Sequence, residues 1–233
     1  YGNFLRATGQ SRRAAEHFRD LLPTLSGELQ YRALRWYGVT QQQLGEPGAT
    51  RPLEEARRGY LSLGDRQMAA RVGHTLASIY TLNGEYGEAS KILDSVIPLL
   101  AQHQNQRPLL AAFSTLIDIQ IESGHLDAAS ETLQRALETA GDLSDDYVLL
   151  NLDMRRANIM LMMGDFGGYQ ELLESVAERS EAIKEVSNAS YALTHLANYH
   201  SRIGEHTLAV RTIGRLRALT RDISLHTQTV LGM

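Results

Sequence analysis

His195, His200 and His206 are the side chains with the spacing closest to a metal site, so coordination chemistry is the first possibility to weigh. Two imidazoles grip one ion from a helix when they stand three or four residues apart on one face. His195 and His200 are five apart and His206 lies beyond a glycine, so the spacing predicts histidines at the surface or between helices. No HExxH pairing occurs among the eight histidines, and the lack of cysteine removes thiolate zinc sites, disulfides and a cysteine nucleophile. No nucleophile elbow surrounds any serine. The run Gly164-Asp165-Phe166-Gly167-Gly168 has the composition of a phosphate-cradling loop, but it follows a helical stripe and carries no lysine. The expectation is a chain with no catalysis, no cofactor and no metal.

Binding chemistry is better represented. The 23 basic side chains include only two lysines, Lys91 and Lys184, a bias that needs no site to explain it. Arg211/Arg215 and Arg217/Arg221 are i,i+4 pairs and predict a basic patch near the C-terminal end. Such a patch is either a solvated face or a docking surface for an acidic partner or a neighbouring domain. With 233 residues, 43% of them hydrophobic, the chain can bury a sizeable core, while its net charge of −4 disfavours nucleic acid as a partner. Apolar runs such as Ile159 to Met163 are too short to cross a bilayer, and no secretory signal pattern opens the sequence. A cytoplasmic location is expected.

These side chains must be positioned by something, and the sequence supplies it as a repeat. Six segments place an alanine or its substitute five residues after a glycine, a large apolar residue four further on, and another three beyond that. They are Gly9-Ala14-Phe18-Leu21, Gly84-Ala89-Leu93-Val96, Gly124-Ala129-Leu133-Ala136, Gly164-Tyr169-Leu173-Val176 and Gly204-Ala209-Ile213-Leu216, with Gly45-Ala49-Leu53-Ala56 one residue shorter. The glycines are spaced 36, 39, 40, 40 and 40 residues apart. Helical apolar stripes flank each one, such as Leu109, Phe113, Leu116 and Ile119 before Gly124 and Leu133, Ala136, Leu137 and Ala140 after it. The glycine suits a left-handed residue ending the first helix, and Glu46, Glu85, Asp165 and Glu205 after it suit the positive end of the second. Small residues seven before the glycine (Gly2, Gly38, Ala77, Ala157, Ala197) and five after it predict two helices in close antiparallel contact. The prolines fall late in second helices (Pro23, Pro98), around a turn and helix start (Pro47, Pro52), or before a first helix (Pro108).

This pattern resembles the tetratricopeptide repeat (TPR), most closely in Thr75-Leu76-Ala77-Ser78-Ile79-Tyr80 followed by Asn83-Gly84-Glu85-Tyr86-Gly87-Glu88-Ala89. The resemblance spans nearly the whole chain and implies an all-α, right-handed α-α superhelix of about six helical hairpins, read as a single repeat domain over 1–233. The usual TPR period is about 34 residues; the longer period here is similar to the array of MalT-type ATP-dependent bacterial transcription activators. That likeness implies a sensor segment between an NTPase module and a helix-turn-helix. Tyr1 falls at the seventh residue of a motif, and Ser224 to Met233 has room for the start of a further first helix. The chain therefore reads as a piece of a longer multidomain protein.

In arrays of this kind the first helices line the concave wall. Projecting the register there places Arg32, Arg35, Arg71, His74, Ser78, Asp118, Met154, Arg155, Asn158, Tyr191, Asn198 and Arg202 along one groove. Arginine, asparagine and tyrosine can hold an extended peptide or a polar small molecule through hydrogen bonds and stacking. Asn158 and Asn198 occupy one register position in successive first helices, a spacing suited to peptide backbone. The set lacks the lysines of TPR domains that clamp chaperone C-termini. The expected function is non-catalytic recognition of a protein, peptide or small-molecule effector, with self-association as a further possibility and neither nucleic acid nor membrane as a partner. The alternatives are a stand-alone scaffold or adaptor and a signalling-peptide receptor. Phe166-Gly167-Gly168-Tyr169 departs from the repeat and predicts a local repacking around Tyr169, or else a hinge or ligand notch.

Overall fold

The computed structural model describes residues 1–102, 106–141 and 145–231, with only the backbone described for Ala7, Thr220 and 222–231. Twelve helices account for the described secondary structure, apart from one 3-10 turn at Leu22–Thr24, and these residues contain no strand. In chain order they are α1 (Gly2–Ala7), α2 (Ser11–Leu21), α3 (Gly27–Gln43), α4 (Thr50–Ser62), α5 (Arg66–Leu82) and α6 (Tyr86–Ala101). The second half holds α7 (Arg107–Glu122), α8 (Leu126–Ala140), α9 (Asp146–Met163), α10 (Phe166–Ala182), α11 (Val186–Arg202) and α12 (His206–Leu231). Odd-numbered helices are the first members of the six predicted hairpins and even-numbered helices the second. The expected all-α, TPR-like hairpin architecture is the one found.

The chain forms two compact units, Tyr1–Ile119 and Gln120–Met233. In the first, each of α1 to α6 packs on the next, and α3 also touches α5. Among the described residues its interior includes an apolar cluster around Leu5, Ala14, Phe18 and Ala33 and another around Leu34, Leu53, Tyr60, Val72 and Leu76. In the second unit α8 to α12 pack in the same consecutive manner, and α9 touches α11. There Leu150, Tyr169, Leu173, Val176, Leu193 and Leu196 form one cluster. A hairpin with two apolar faces can bury only one by itself, so its neighbours supply the rest of the core.

The small residues do the work their positions imply. Ala14, Ala77, Ala89, Ala129 and Ala157 have no exposed surface. A Cβ on Gly38 would lie 2.8 Å from both the Ala49 carbonyl oxygen and Leu53 Cγ, which fixes how closely α3 and α4 approach. Two further close approaches fall outside the repeat register: a Cβ on Gly73 would meet Val96 at 2.7 Å, and one on Gly59 would overlap the Tyr31 ring.

The turn after each first helix follows one scheme. Gly84 has φ +77°, and the next N–H, that of Glu85, reaches back to the Tyr80 carbonyl at 2.8 Å. This six-to-one bond satisfies a carbonyl left over at the helix end and needs a left-handed residue in the middle. Gly9, Gly45, Gly124, Gly164 and Gly204 repeat it, and Gly64 uses it between hairpins. Lys184 holds the same place between α10 and α11 with φ +58°, the one non-glycine in the left-handed region among the described residues. A left-handed residue bearing a Cβ costs about 1–2 kcal/mol. Lys184→Gly is therefore expected to stabilise the second unit by roughly 1 kcal/mol, read as a higher denaturant midpoint; an unchanged or lower midpoint would contradict the strain.

Two local expectations need correction. The side-chain register after Gly45 is one residue short, as read, because Ala49, Leu53 and Ala56 are all buried. The connection itself is longer, not shorter: α4 opens at Thr50 and α6 at Tyr86, five and two residues past their respective glycines. Pro47 and a second left-handed glycine, Gly48 at φ +86°, hold the chain out of the helix there. Near the C-terminal end no new helix begins after Leu216, since α12 runs unbroken to Leu231 without a glycine or proline between Gly214 and that point to stop it.

Candidate functional site

Within the first unit the odd-numbered helices present a set of arginines, two of them over one tryptophan. Arg6 comes from α1, Arg32, Arg35 and Trp36 from α3, and Arg71, His74 and Ser78 from α5. The guanidinium carbons of Arg6 and Arg35 each lie 4.7 Å from the Trp36 ring centroid. Two like charges held over one ring stand close together, and the cations of Arg71 and Arg6 add to burial in lowering the Arg35 pKa. Arg32 is exposed, whereas Arg35, Arg71 and His74 are half-buried. His74 Nε2 lies 3.1 Å from Thr115 Oγ1 on α7, and the Ser78 hydroxyl donates to the His74 carbonyl. Asp118, also on α7, is half-buried.

The second unit carries an aromatic face built on α9, α10 and α11. Tyr191 and His195 are stacked with centroids 4.1 Å apart. The Tyr169 hydroxyl meets His195 Nδ1 at 3.1 Å, while the Tyr169 ring lies edge-on to Tyr199. Tyr169 is 2% exposed and its hydroxyl pKa is pushed up to about 12, first by burial and then by Tyr191. The glycine pair before it belongs to a repacked helix start: Asp165 accepts the Gly168 N–H at 3.0 Å, and a Cβ on Gly168 would strike that carboxylate at 2.6 Å. The Phe166–Tyr169 irregularity is thus a cap plus a large core residue in an alanine position.

The groove residues expected in this unit have separate fates. Asn158 donates to the Tyr191 hydroxyl at 3.4 Å, so these two meet. Asn198, one repeat later, instead lines a cleft of about 370 Å³ with Thr194, Ser201, His206, Val210 and Ile213. The two asparagines share a register but not their surroundings. Arg155 donates to the Asn151 carbonyl at 3.0 Å, Arg202 is exposed, and Met154 is a core residue, 6% exposed. Of the C-terminal basic residues, Arg211, Arg217 and Arg221 are exposed, but Arg215 is engaged by Glu174 and by Glu181, the latter at 3.1 Å. Burial alone would lower the Arg215 pKa; the hydrogen bonds to Glu181 and Glu174 outweigh it and raise it.

His74, His195 and His200 each have a protein partner. His200 is buried with Nδ1 3.0 Å from Glu205, and burial lowers the pKa of both His74 and His195, with Arg35 adding to the effect at His74. Their folded values fall below the ordinary 6.5, so on acidification the unfolded chain takes up protons first. Stability is complete above about pH 6.5 and declines as pH falls toward the lower folded values. The melting temperature is expected to drop between about pH 7 and 5, less steeply in a His195→Gln variant; an unchanged slope in that variant would contradict the assignment.

Sequence register located most of these positions but passed over Arg6 and Trp36. Arg6 was legible as the arginine three before Gly9, and Trp36 as the neighbour of Arg35. Their contact lies between helices and has no signature along the chain.

Neither a protein-family model nor a curated protein matches the sequence. Solved structures do match the fold. BtubC (BKLC) from P. vanneervenii superposes with TM-score 0.70 at 15% identity, covering 94% of this chain and 89% of that one. TPR-like repeats assigned to a kinesin light chain of Podosopora anserina give 0.67 at 20% identity, over 79% of this chain and 93% of theirs. A Rap protein complexed with Competence and Sporulation Factor gives 0.66 at 17% identity, over 96% of this chain and 62% of its own, so this chain spans less than two thirds of that protein. The chain has the fold of a TPR-like array of helical hairpins.

Proposed function

We propose that this chain is a non-catalytic recognition module that holds a protein segment or peptide against its odd-numbered helices. The observation that carries this reading is a division of labour along the first helices α3, α5 and α11. Small and apolar side chains of the odd helices, such as Ala77 and Leu76, are consumed by packing, while Arg32, Arg71, Tyr191 and Asn198 keep surface on the same helices. Arginine, tyrosine and asparagine offer directional hydrogen bonds and flat stacking surfaces to an extended chain. The likeness to a Rap protein bound to a named factor favours a peptide or protein ligand over a metabolite. The 40-residue steps between Gly84, Gly124, Gly164 and Gly204 favour the sensor region of a MalT-like bacterial transcription regulator, acting in the cytoplasm and passing ligand binding to other modules. The single-domain reading of 1–233, or a plain adaptor using the same face, fits the same chemistry.

Selection of a displayed random-peptide library on the chain tests the proposal. The expected result is an enriched peptide whose binding falls at least about tenfold, roughly 1.4 kcal/mol, in Tyr191→Ala or Arg71→Ala with helicity retained. Failure to enrich any peptide, or binding that ignores both substitutions, would overturn it. A flanking sequence with neither an NTPase module nor a helix-turn-helix would remove the regulatory context alone.

A further inference from the structure

The arginines on the first unit's odd-numbered helices stand without a counter-charge, unlike Arg179, which pairs with Asp153 at 2.6 Å, Arg215, held by Glu174 and Glu181, and Lys91, which pairs with Glu88 at 2.6 Å. None of Arg6, Arg32, Arg35 and Arg71 forms an ion pair or donates a side-chain hydrogen bond among the described residues. Three of them go further. The Nε–H groups of Arg6, Arg35 and Arg71 are sealed from solvent and find no acceptor in the chain.

A sealed donor without an acceptor is costly, and three such donors occur on α1, α3 and α5. The cation–π contacts of Arg6 and Arg35 with Trp36 satisfy no N–H group, so they do not replace the missing acceptors. A solvated basic face would keep its Nε atoms wet, and this one does not. The terminal guanidinium nitrogens of the three are not among the sealed atoms, so an oxyanion can reach them, accept their N–H groups and neutralise the repulsion between Arg6, Arg35 and Arg71. Arg6, Arg35 and Arg71 stand 3, 10 and 13 residues before Gly9, Gly45 and Gly84; these are different register positions, but offsets differing by seven and three fall on one helical face, and successive odd helices contribute one each.

We infer that Arg6 and Arg35, which lie over Trp36, form with Arg71 of the next odd-numbered helix a subsite for an oxyanion carried on a bound protein segment, a carboxylate or a phosphate ester. The inference rests on the recognition reading above and names the chemistry of the ligand. Arg32 extends the same charge toward solvent and suits an acidic residue next along the segment.

Trp36 is the chain's one tryptophan and makes the subsite its own reporter. At fixed ionic strength, hexaglutamate, a tryptophan-free phosphoserine peptide and hexaglutamine are titrated against the chain while Trp36 emission is followed. The expected result is a saturable change with hexaglutamate, the phosphopeptide or both, and none with hexaglutamine; the stronger of the two anionic arms identifies the source of the oxyanion. Arg35→Gln and Arg71→Gln should each weaken it at least about tenfold, while Arg58→Gln, at an exposed position on α4, leaves it unchanged. Arg6→Gln serves as the third probe should Arg35→Gln lose its circular dichroism. Equal responses to hexaglutamate and hexaglutamine, or folded arginine variants that bind like the parent, would overturn the inference. If display-selected peptides bind but neither anionic peptide does, the subsite is wrong and the recognition reading stands. If no peptide of any kind binds, both fall.

Discussion

Leu193→Ala is expected to cost about 2–5 kcal/mol, the range for truncating a fully buried leucine in a site that cannot collapse. Leu193 has no exposed surface and sits among Leu150, Met154, Tyr169, Leu173 and Leu196, contributed by α9, α10 and α11. Because each hairpin is completed by its neighbours, the loss should be regional. Native-state hydrogen exchange should show faster exchange, by about 30-fold or more, in slowly exchanging amides of α9 to α11. Amides of α3 to α5 should keep their protection, since they surround a separate cluster of Leu34, Leu53, Tyr60 and Leu76. A uniform loss across all helices would mean one undivided core, contrary to the nearest-neighbour construction.

Gly59→Ala tests a contact whose sign is less obvious. Alanine in a helix interior is worth about 1 kcal/mol over glycine, so on propensity alone the substitution stabilises α4. Its Cβ, however, would overlap the body of the Tyr31 ring, and Tyr31 lies edge-on to Tyr60 at 5.8 Å. Overpacking costs about 1–3 kcal/mol, and displacing the aromatic pair adds about 0.5–1.5. The overlap wins, and the net expectation is a loss of about 1–3 kcal/mol by chemical denaturation. Removing the ring should reverse the sign: in a Tyr31→Ala background Gly59→Ala is expected to stabilise. The same destabilisation in both backgrounds would show that the α3–α4 approach is not set by this pair.

The repeat was legible because each of its positions has a one-residue cause. Gly84 and its five counterparts hold left-handed backbone, and Ala77 and Ala89 lie where a larger side chain would separate the helices. Such constraints are local to a turn or a face, and a periodic sequence displays them. Lys184 was invisible for the same reason, since nothing in its identity announces φ +58°. The candidate site was legible only as a set of positions. Register placed Asn158 and Asn198 together, yet Tyr191 reaches Asn158 while residues of α12 surround Asn198. Register also placed Arg215 in a basic patch, where two glutamates of α10, at 174 and 181, already hold it. Partners on a different helix decide whether a surface side chain is available, and that pairing depends on distances the sequence does not contain. Trp36 with Arg6 and Arg35 belongs to the same class of fact.

The central claim is that odd-numbered helices recognise and even-numbered helices support. Hydrogen–deuterium exchange on the chain with and without a library-selected peptide tests it most directly, because it reports position without assuming the ligand. The account predicts added protection in odd-numbered helices, α3 and α5 or α9 and α11 among them, with α4, α6, α8 and α10 little changed. Protection confined to the even-numbered helices, or to the turns that join the hairpins, would contradict it.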